Sequence, residues 1–430
     1  MVASDCGRCL KRAVIILKLK KKNSPIPPVF RRFDLGAFDH QPRTRLIFGL
    51  HSVAKVGELA RGIGAKKVLL VTDPGIVAAG HASRVHGFLK SAGLKVTVFD
   101  KARENPTTSC VENCTAAAKR AGIDTLVGLG GGSAMDTAKG CNFILTNGGR
   151  IQDYRGIGKA TKPMLPLIAI PTTAGTGSEC QSAALIADEQ THEKMACLDP
   201  KAAPCIAILD PALTISQPLA VTAHTGIDAI AHAVETAVTK NRNELSLMYS
   251  HEAFKLTATN LPRVLRNPND IEARGRMLLG AAFAGTAIEN SMLGAAHAAA
   301  NPLTAHYGIV HGEAVGIMLP LVVRFNAREP QARRAYAELA SAPEIACVSN
   351  SLEKAVNALI ARLESLLNAA QIARSLADCG VEKARINMLA REAAQQWTAA
   401  FNPRPITAKD FATLYLAAFR KRGPGAGTLD

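Results

Sequence analysis

Four side chains that could bind one divalent metal ion lie in the second half of the chain. Asp228 and His232 are four residues apart, so on a helix both side chains project from the same face. His297 and His311 follow later in the sequence. One carboxylate and three imidazoles could hold the ion and leave a position for a substrate oxygen. Such an arrangement is typical of a catalytic metal ion rather than of a closed structural site.

Spacing alone leaves a second interpretation open. An aspartate and a histidine four residues apart more often form a hydrogen bond or a helix cap than a metal site. The surrounding segment, residues 229–237, is mostly apolar and small, which predicts a buried helix whose polar side chains need partners. The rest of the chain has to decide between the two interpretations.

Composition describes a globular protein large enough for two domains. The chain has 430 residues, of which 48% are hydrophobic and 20% are charged. Half of the net charge of +16 comes from residues 1–45, which hold 11 Lys/Arg and 3 Asp/Glu. The remaining excess forms no long basic run, and a single Trp and five Tyr offer little for base stacking, so we expect no nucleic-acid partner.

The sequence also predicts the compartment. No apolar run approaches the ~20 residues that a membrane-spanning helix needs, so we expect no membrane partner. Ten cysteines scattered over a long chain indicate reduced thiols rather than a disulfide framework. We therefore expect a cytoplasmic protein.

Alternating strands and helices predict a parallel sheet covered on both faces up to about residue 210. Beyond it, long Ala/Leu-rich helical stretches dominate. The predicted strands are 45–49, 67–73, 95–99, 125–129 and 165–170. The predicted helices of the second part are 218–238, 244–260, 272–300, 312–328, 351–378, 384–400 and 407–421. We predict a basic extension at residues 1–43 that lacks stable order, an α/β domain at 44–210, an all-α domain at 211–422 and a tail at 423–430, with the active site in the cleft between the two domains.

Two glycine- and hydroxyl-rich turns follow predicted strands. Gly130–Lys139 comes where a strand ends and a helix begins, so its backbone amides could hold a pyrophosphate. Pro171–Glu179 would lie beside it if the two strands are neighbours. Asp73, at the end of another strand, could accept hydrogen bonds from a ribose. Each feature alone is also compatible with an ordinary turn, loop or cap, and this is the more common role of such a loop and of an aspartate at a strand end.

Together these motifs resemble the iron-containing (group III) alcohol dehydrogenase family over about residues 45–420. The resemblance is specific because many motifs occur in the family's order. They are Asn105-Pro106-Thr107, Gly130–Lys139, Pro171–Glu179, Lys194, Leu198-Asp199-Pro200, Asp210-Pro211, Thr225–Glu235, the histidines 297 and 311, and Asn402-Pro403-Arg404-Pro405.

The resemblance implies a fold, cofactors and residue roles. The fold would be an N-terminal Rossmann-like dinucleotide-binding α/β domain followed by an all-helical metal-binding domain, as in dehydroquinate synthase and its relatives. The cofactors would be NAD and Fe²⁺, with Zn²⁺ as an alternative, and the protein would be a homodimer or a larger homo-oligomer. The implied catalytic metal ligands are Asp228, His232, His297 and His311. The implied NAD-binding residues are Asp73, Asn105, Gly131, Gly132, Ser133, Asp136, Thr172, Thr173, Thr176 and Lys194.

The implied reaction interconverts an alcohol and an aldehyde or ketone by hydride transfer to the nicotinamide. Three alternatives stay open: a maleylacetate reductase, a hydroxyacid-oxoacid transhydrogenase, and a cyclase resembling dehydroquinate synthase. A binding protein that has kept only the fold is a fourth, against which the complete ligand set argues. The chain also departs from many relatives, because Asn301 stands where they carry a second histidine that could move a proton.

Overall fold

The structure is a computed structural model that describes residues 38–190, 194–341 and 351–420. The predicted extension at residues 1–43 lies outside the described residues up to residue 37, and the predicted tail at 423–430 lies wholly outside them. Among the described residues, no helix is both long and apolar enough to span a lipid bilayer.

The described residues contain nine strands in two sheets. They are β1 (Arg45–Phe48), β2 (Lys67–Val71), β3 (Lys95–Phe99), β4 (Thr125–Gly130), β5 (Gly156–Ile157), β6 (Leu167–Pro171), β7 (Ala183–Ala187), β8 (Lys194–Leu198) and β9 (Ile206–Leu209). The large sheet has the order β1-β9-β6-β4-β2-β3, and all of its strand pairs are parallel. Every residue of its central strands β4 and β6 is buried, as expected for a sheet covered on both faces.

The small sheet, with the order β5-β8-β7, was not predicted, and neither was β9. β5 has two residues and β9 has four, which is too short for a periodic signal. β7 is the sequence Ala-Ala-Leu-Ile-Ala, whose small side chains do not distinguish a strand from a helix. Pairing with a neighbour, rather than local propensity, defines these strands.

Five helices accompany the large sheet: α1 (Val56–Gly62), α2 (Pro74–Ala78), α3 (His81–Ser91), α4 (Thr108–Ala121) and α5 (Gly132–Asn147). α5 begins as soon as β4 ends, with Gly131 as its N-cap residue. The loop after β4 and the loop after β6 leave the same edge of the sheet, because the two strands are hydrogen-bonded parallel neighbours. That adjacency is the condition on which the predicted cofactor site depended.

The described residues after Leu209 contain helices and no strand. The α-helices are α6 (Leu219–Thr236), α7 (Glu244–Arg266), α8 (Ile271–Ser291), α9 (Ala295–Tyr307), α10 (His311–Asn326), α11 (Pro330–Ala340), α12 (Leu352–Ala369), α13 (Ile386–Gln395) and α14 (Ala408–Ala418). α6 is buried from Gly226 to Thr236 and packs against α7, α8 and α10. Its many alanines let neighbouring helices approach closely, which places this helix in the centre of the helical part.

Three predicted helices need correction. The prediction of a single helix over 272–300 is wrong. The helical conformation ends at Met292, where φ is +100°, and α8 and α9 are therefore separate helices. The predicted helix 351–378 ends at Ala369, shortly before Gln371 adopts φ +55°. The predicted helix 384–400 is α13 followed by a short 3₁₀ helix, Trp397–Phe401. Met292 and Gln371 both have favourable helix propensity, so tertiary contacts decide the breaks at these two residues.

Candidate metal and cofactor site

Asp228 and His232 lie one turn apart on the buried helix α6. Their side chains are on the same face, with His232 Nε2 3.5 Å from Asp228 Oδ1. Both residues are at most 5% exposed, and apolar or small residues surround them along the helix. Burial of two ionisable side chains in such a setting is costly unless they interact with each other or with a ligand.

The structure brings His297 and His311 to the same carboxylate oxygen. His297 is in the first turn of α9, and its Nε2 lies 3.3 Å from Asp228 Oδ1. His311 is the first residue of α10, and its Nε2 lies 3.9 Å from that oxygen. The ring of His297 stacks on that of His232 at 4.8 Å between centroids. Ligand atoms of Asp228, His297 and His311 all lie within 4.8 Å of one another.

Electrostatics in this cluster suit a cation. Burial raises the pKa of Asp228, but His232 and the other two imidazoles outweigh it and hold that pKa well below its usual range. Burial lowers the pKa of His232 to about 4. Burial, with Lys194 nearby, lowers the pKa of His311 to about 3. The cluster therefore contains an ionised carboxylate and two neutral imidazoles at neutral pH.

Two atoms at the centre of the cluster have no hydrogen-bond partner among the described residues. These are Asp228 Oδ1 and His297 Nε2, and both are buried. A buried carboxylate oxygen and a buried imidazole nitrogen that face each other without a hydrogen bond are suited to share a ligand. A divalent cation would satisfy both, so the residues present fit the metal ion that the resemblance implies.

The sequence analysis missed a role for Glu235. Its Oε2 lies 2.5 Å from His297 Nδ1, and its Oε1 accepts a hydrogen bond from the amide of Ala296. Burial opposes protonation of His297, but Glu235 and Asp228 raise its pKa to about 9. A glutamate three residues after His232 in an apolar helix was the available signal, because a buried carboxylate needs a partner.

The predicted pyrophosphate cradle lies between two loops. A Cβ atom added at Gly131 would lie 3.5 Å from the side chain of Thr173, and one added at Gly132 would lie 2.9 Å from Thr176. The glycines therefore let the loop after β6 lie against the start of α5. Ser133 is in the first turn of α5, where backbone amides lack helical partners and could bind an anion.

Other predicted cofactor residues lie around this cradle. Asp73 is the N-cap of α2, and its Oδ1 accepts a hydrogen bond from the Ile76 amide. Its Oδ2 lies 3.1 Å from the place of a Cβ at Gly130. The Thr172 hydroxyl accepts a hydrogen bond from Gln217. Asp73 therefore caps α2 through Oδ1, as one interpretation predicted, and its Oδ2 lies beside the cradle.

Two more of the predicted cofactor residues, Lys194 and Asn105, lie next to each other, with Lys194 Nζ 3.5 Å from Asn105 Oδ1. Asn105 has φ +50°, a left-handed conformation that asparagine tolerates better than most residues. Lys194 begins β8 and is close enough to His311 to lower its pKa. The proposed cofactor residues therefore reach the histidine cluster through Lys194.

Asp136, another predicted cofactor residue, is buried, with 9% of its surface exposed. Its Oδ1 accepts a hydrogen bond from the Ser178 hydroxyl, and burial raises its pKa. Lys139 donates hydrogen bonds to the carbonyl oxygens of Ser178 and Ala183 and to the Ser178 hydroxyl. Asp136 and Lys139, both in the glycine-rich motif, thus connect α5 to the loop after β6 through hydrogen bonds with Ser178.

Neither Asn301 nor His306 contacts the cluster through the hydrogen bonds that the structure describes for them. The Asn301 amide donates to Gln396 Oε1 at 2.9 Å, and His306 Nε2 lies 2.7 Å from Glu392 Oε2. Glu392 is on α13, and Gln396 directly follows that helix. His306 therefore does not replace the histidine that many relatives carry at the position of Asn301.

Comparisons with known proteins cover both parts of the chain. Residues 42–211 match the family described as "Iron-containing alcohol dehydrogenase". Residues 222–419 match "Fe-containing alcohol dehydrogenase family, C-terminal". The chain is 35% identical to "Alcohol dehydrogenase 4" of Schizosaccharomyces pombe (strain 972 / ATCC 24843), across 86% of this chain and 87% of that protein. It is also 35% identical to the "NAD-dependent methanol dehydrogenase" of Bacillus methanolicus, across 86% of this chain and 96% of that protein.

A solved structure has the same fold. The crystal structure of 1,3-propanediol oxidoreductase matches with a TM-score of 0.85 and 32% sequence identity, and the match covers 89% of this chain and 100% of that one. The predicted fold, an α/β part followed by a helical part, is thereby confirmed.

Proposed function

The chain belongs to the iron-containing alcohol dehydrogenase family and is an oxidoreductase, and on that premise we propose that it oxidises a small alcohol with NAD at the Asp228 cluster. The observation that carries this proposal is the convergence of three imidazoles on one buried carboxylate oxygen. Asp228 Oδ1 and His297 Nε2 face each other there without a hydrogen bond.

We assign the metal ligands as Asp228, His232, His297 and His311, and Fe²⁺ as the ion, with Zn²⁺ compatible with the same donors. When bound, the ion supplies Lewis acidity that lowers the pKa of a substrate hydroxyl. A bound divalent ion would displace the proton that Glu235 and Asp228 otherwise favour on His297. With neutral histidines, the two positive charges of the ion would then exceed the single negative charge of Asp228 where the substrate oxygen would lie. Asp228, His232 and His297 are buried and His311 is partly buried, so the low polarity around them would strengthen this charge effect.

The cofactor roles follow from the loops around the cradle. Gly131, Gly132 and Ser133 would offer backbone amides to the pyrophosphate, with Thr173 and Thr176 beside them. Asp73 Oδ2 would accept hydrogen bonds from the adenosine ribose, which favours NAD over NADP. Lys194 and Asn105 would hold the part of the cofactor nearest the histidine cluster. Because Asn301 cannot titrate, the hydroxyl proton has to leave by another route.

We propose a small alcohol as the substrate. The supporting observation is that the Bacillus methanolicus relative is named for methanol and the matching crystal structure for 1,3-propanediol. We place the cofactor site in residues 44–210 and the metal ligands in residues 211–422. We also propose that the protein is cytoplasmic, because no disulfide joins any of the following cysteines: Cys110, Cys114, Cys141, Cys180, Cys197 and Cys205.

We further propose that the protein is a homodimer or larger homo-oligomer. β1 is an edge strand of the large sheet, and Phe48 and Leu50 on and beside it are 49% and 54% exposed. Unpaired edge strands with exposed apolar side chains favour association with another chain. Sedimentation of the full-length protein tests this proposal, and a monomer at micromolar concentration would contradict it.

Steady formation of NADH tests the proposed reaction. Full-length protein loaded anaerobically with Fe²⁺ or Zn²⁺ is mixed with NAD and short primary alcohols or diols. We expect NADH to accumulate with at least one alcohol. NADH that never accumulates although metal and NAD bind would instead favour a cyclase, which returns its cofactor unchanged.

A further inference from the structure

Two side chains from distant parts of the chain, Glu235 and Asn402, accept hydrogen bonds from the first turn of α9. The amides at a helix N-terminus have no partner within the helix. Here the Ala295 amide donates to Asn402 Oδ1 at 3.3 Å, and the Ala296 amide donates to Glu235 Oε1 at 2.7 Å. His297 is the next residue. Two external acceptors therefore fix the backbone immediately before this proposed metal ligand.

Glu235 fixes the side chain of His297 as well as the backbone. Its second oxygen, Oε2, lies 2.5 Å from His297 Nδ1. A hydrogen bond at Nδ1 sets the rotation of the imidazole ring and leaves Nε2 as the atom directed at Asp228. The buried Glu235 carboxylate thus orients both the first turn of α9 and the imidazole ring of His297.

Asn402 is itself held in place by side chains and backbone. It exchanges two hydrogen bonds with Asn326 of α10, at 2.7 and 3.0 Å, and donates a third to the Arg404 carbonyl. The Arg404 guanidinium covers the Phe325 ring and donates to the Phe325 carbonyl. Asn402 and Asn326 are each 1% exposed. The segment 402–405, whose role the sequence did not reveal, therefore joins the end of α10 to the start of α9.

The backbone before α9 is strained, which explains why such fixation is needed. Met292 has φ +100° and ψ 172°, a region that non-glycine residues rarely occupy. A Cβ at Gly294 would lie 3.1 Å from Glu235 Oε1 and 3.2 Å from Asn402 Oδ1. Strained backbone persists only where surrounding contacts hold it, and these two acceptors are the contacts next to it.

We propose that Glu235 and Asn402 form a clamp, two acceptors on the first turn of α9, that positions His297 Nε2 for metal binding. The proposal rests on the metal site proposed above and adds two positioning residues to it. Glu235 acts on the ring and the Ala296 amide. Asn402 acts only through the Ala295 amide, since it does not contact His297.

Titration of full-length, metal-free protein with Co²⁺ tests the clamp, because the visible absorption of bound Co²⁺ reports ligand geometry as well as affinity. We expect Asn402→Ala to bind Co²⁺ about tenfold more weakly, with a changed absorption spectrum, as found when groups that orient metal-binding histidines are removed. Glu235→Gln keeps an acceptor for the Ala296 amide but alters the partner of Nδ1. It should change the spectrum at least as much.

Asn142→Ala is the matched control. Asn142 is also 1% exposed and makes two hydrogen bonds to the backbone of Leu165, far along the chain from α9. Its loss should lower stability and leave the Co²⁺ affinity and spectrum unchanged. If Asn402→Ala does not fold, Asn326→Ala removes the amide that holds Asn402, and we expect a smaller loss of affinity in the same direction.

The outcomes separate the clamp from the metal site. If the wild-type protein binds Co²⁺ and Asn402→Ala binds it with the same affinity and the same absorption spectrum, the clamp proposal is wrong and the metal site stands. Equal losses in Asn402→Ala and Asn142→Ala also overturn it, because the effect is then general destabilisation. Wild-type protein that binds no divalent ion overturns the proposed metal site, and the clamp falls with it.

Discussion

A Cβ atom at Gly175 would lie 2.7 Å from the carbonyl oxygen of Thr225, so the loop after β6 rests directly on the backbone of α6. That loop carries Thr172, Thr173 and Thr176, which we assign to the cofactor. α6 carries two of the proposed metal ligands. The Cβ and backbone atoms of Thr225 leave no room for a side chain at Gly175, and this close contact sets the distance between the two halves of the site.

Gly175→Ala should therefore weaken the binding of both NAD and metal ion. The added methyl group would meet the Cβ and backbone atoms of Thr225, which cannot move aside as the end of a flexible side chain can. Such overpacking typically costs about 1–3 kcal/mol. Calorimetric titration of NAD and of Co²⁺ into the variant measures both effects. Gly87→Ala is the control, because a Cβ at Gly87 of α3 meets nothing within 4 Å. Unchanged affinity for both ligands in Gly175→Ala would show that this contact does not hold the site.

Asp73→Ser should relax the preference for NAD. Serine can still cap α2 through its hydroxyl, whereas the charge that would repel a 2′-phosphate is lost. We expect NAD to bind roughly tenfold more weakly, since a hydrogen bond to a charged group is worth ~1.5–3 kcal/mol. We also expect NADP to become an acceptor. Steady-state rates with the two cofactors measure this, and an unchanged ratio of kcat/KM would remove Asp73 from the ribose.

His297→Ala should abolish metal binding and turnover while NAD still binds. His297 contributes to the cluster around Asp228 and makes no contact with the cradle residues that we assign to the cofactor. Thermal-shift titration with NAD and elemental analysis separate the two properties. The control is His306→Ala on the same helix, whose ring pairs with Glu392 instead. Full activity of the His297 variant would refute its assignment as a ligand.

Glu179 should make stability depend on pH. It is 1% exposed, and burial raises its pKa from 4.5 to about 7, with Lys139 opposing the shift. The folded state thus binds a proton that the unfolded state releases, and this contribution is fully present below pH 4.5 and lost as pH rises through 7. The difference is at most about 3 kcal/mol.

Glu179→Gln, which stays neutral, should therefore gain stability relative to the wild type as pH rises from 5 to 8. Thermal unfolding of both proteins without metal measures the difference in Tm at each pH. A difference in Tm that is the same at both pH values would mean that Glu179 ionises normally.

The sequence predicted those features that depend on local pattern. Buried apolar runs such as β4 and glycines before α5 have strong signals, and the spacing of Asp228 and His232 places them on one helix face. It did not predict the break at Met292, because methionine favours helices and only the contacts around Gly294 impose the turn. Nor could it assign Glu235 and Asn402, whose partners lie 61 and 107 residues away in the chain. Roles that exist only through distant contacts have no local signature.

Metal content tests the central claim, that Asp228, His232, His297 and His311 converge on one divalent ion. The measurement is elemental analysis of full-length protein purified without oxygen and then loaded with Fe²⁺ or Zn²⁺, alongside Asp228→Asn treated in the same way. We predict a single tightly held ion per wild-type chain and a large loss in the variant, because Asp228 supplies the only ionised carboxylate among the four ligands. Wild-type protein that remains free of metal after loading, or a variant that retains it fully, would contradict the account.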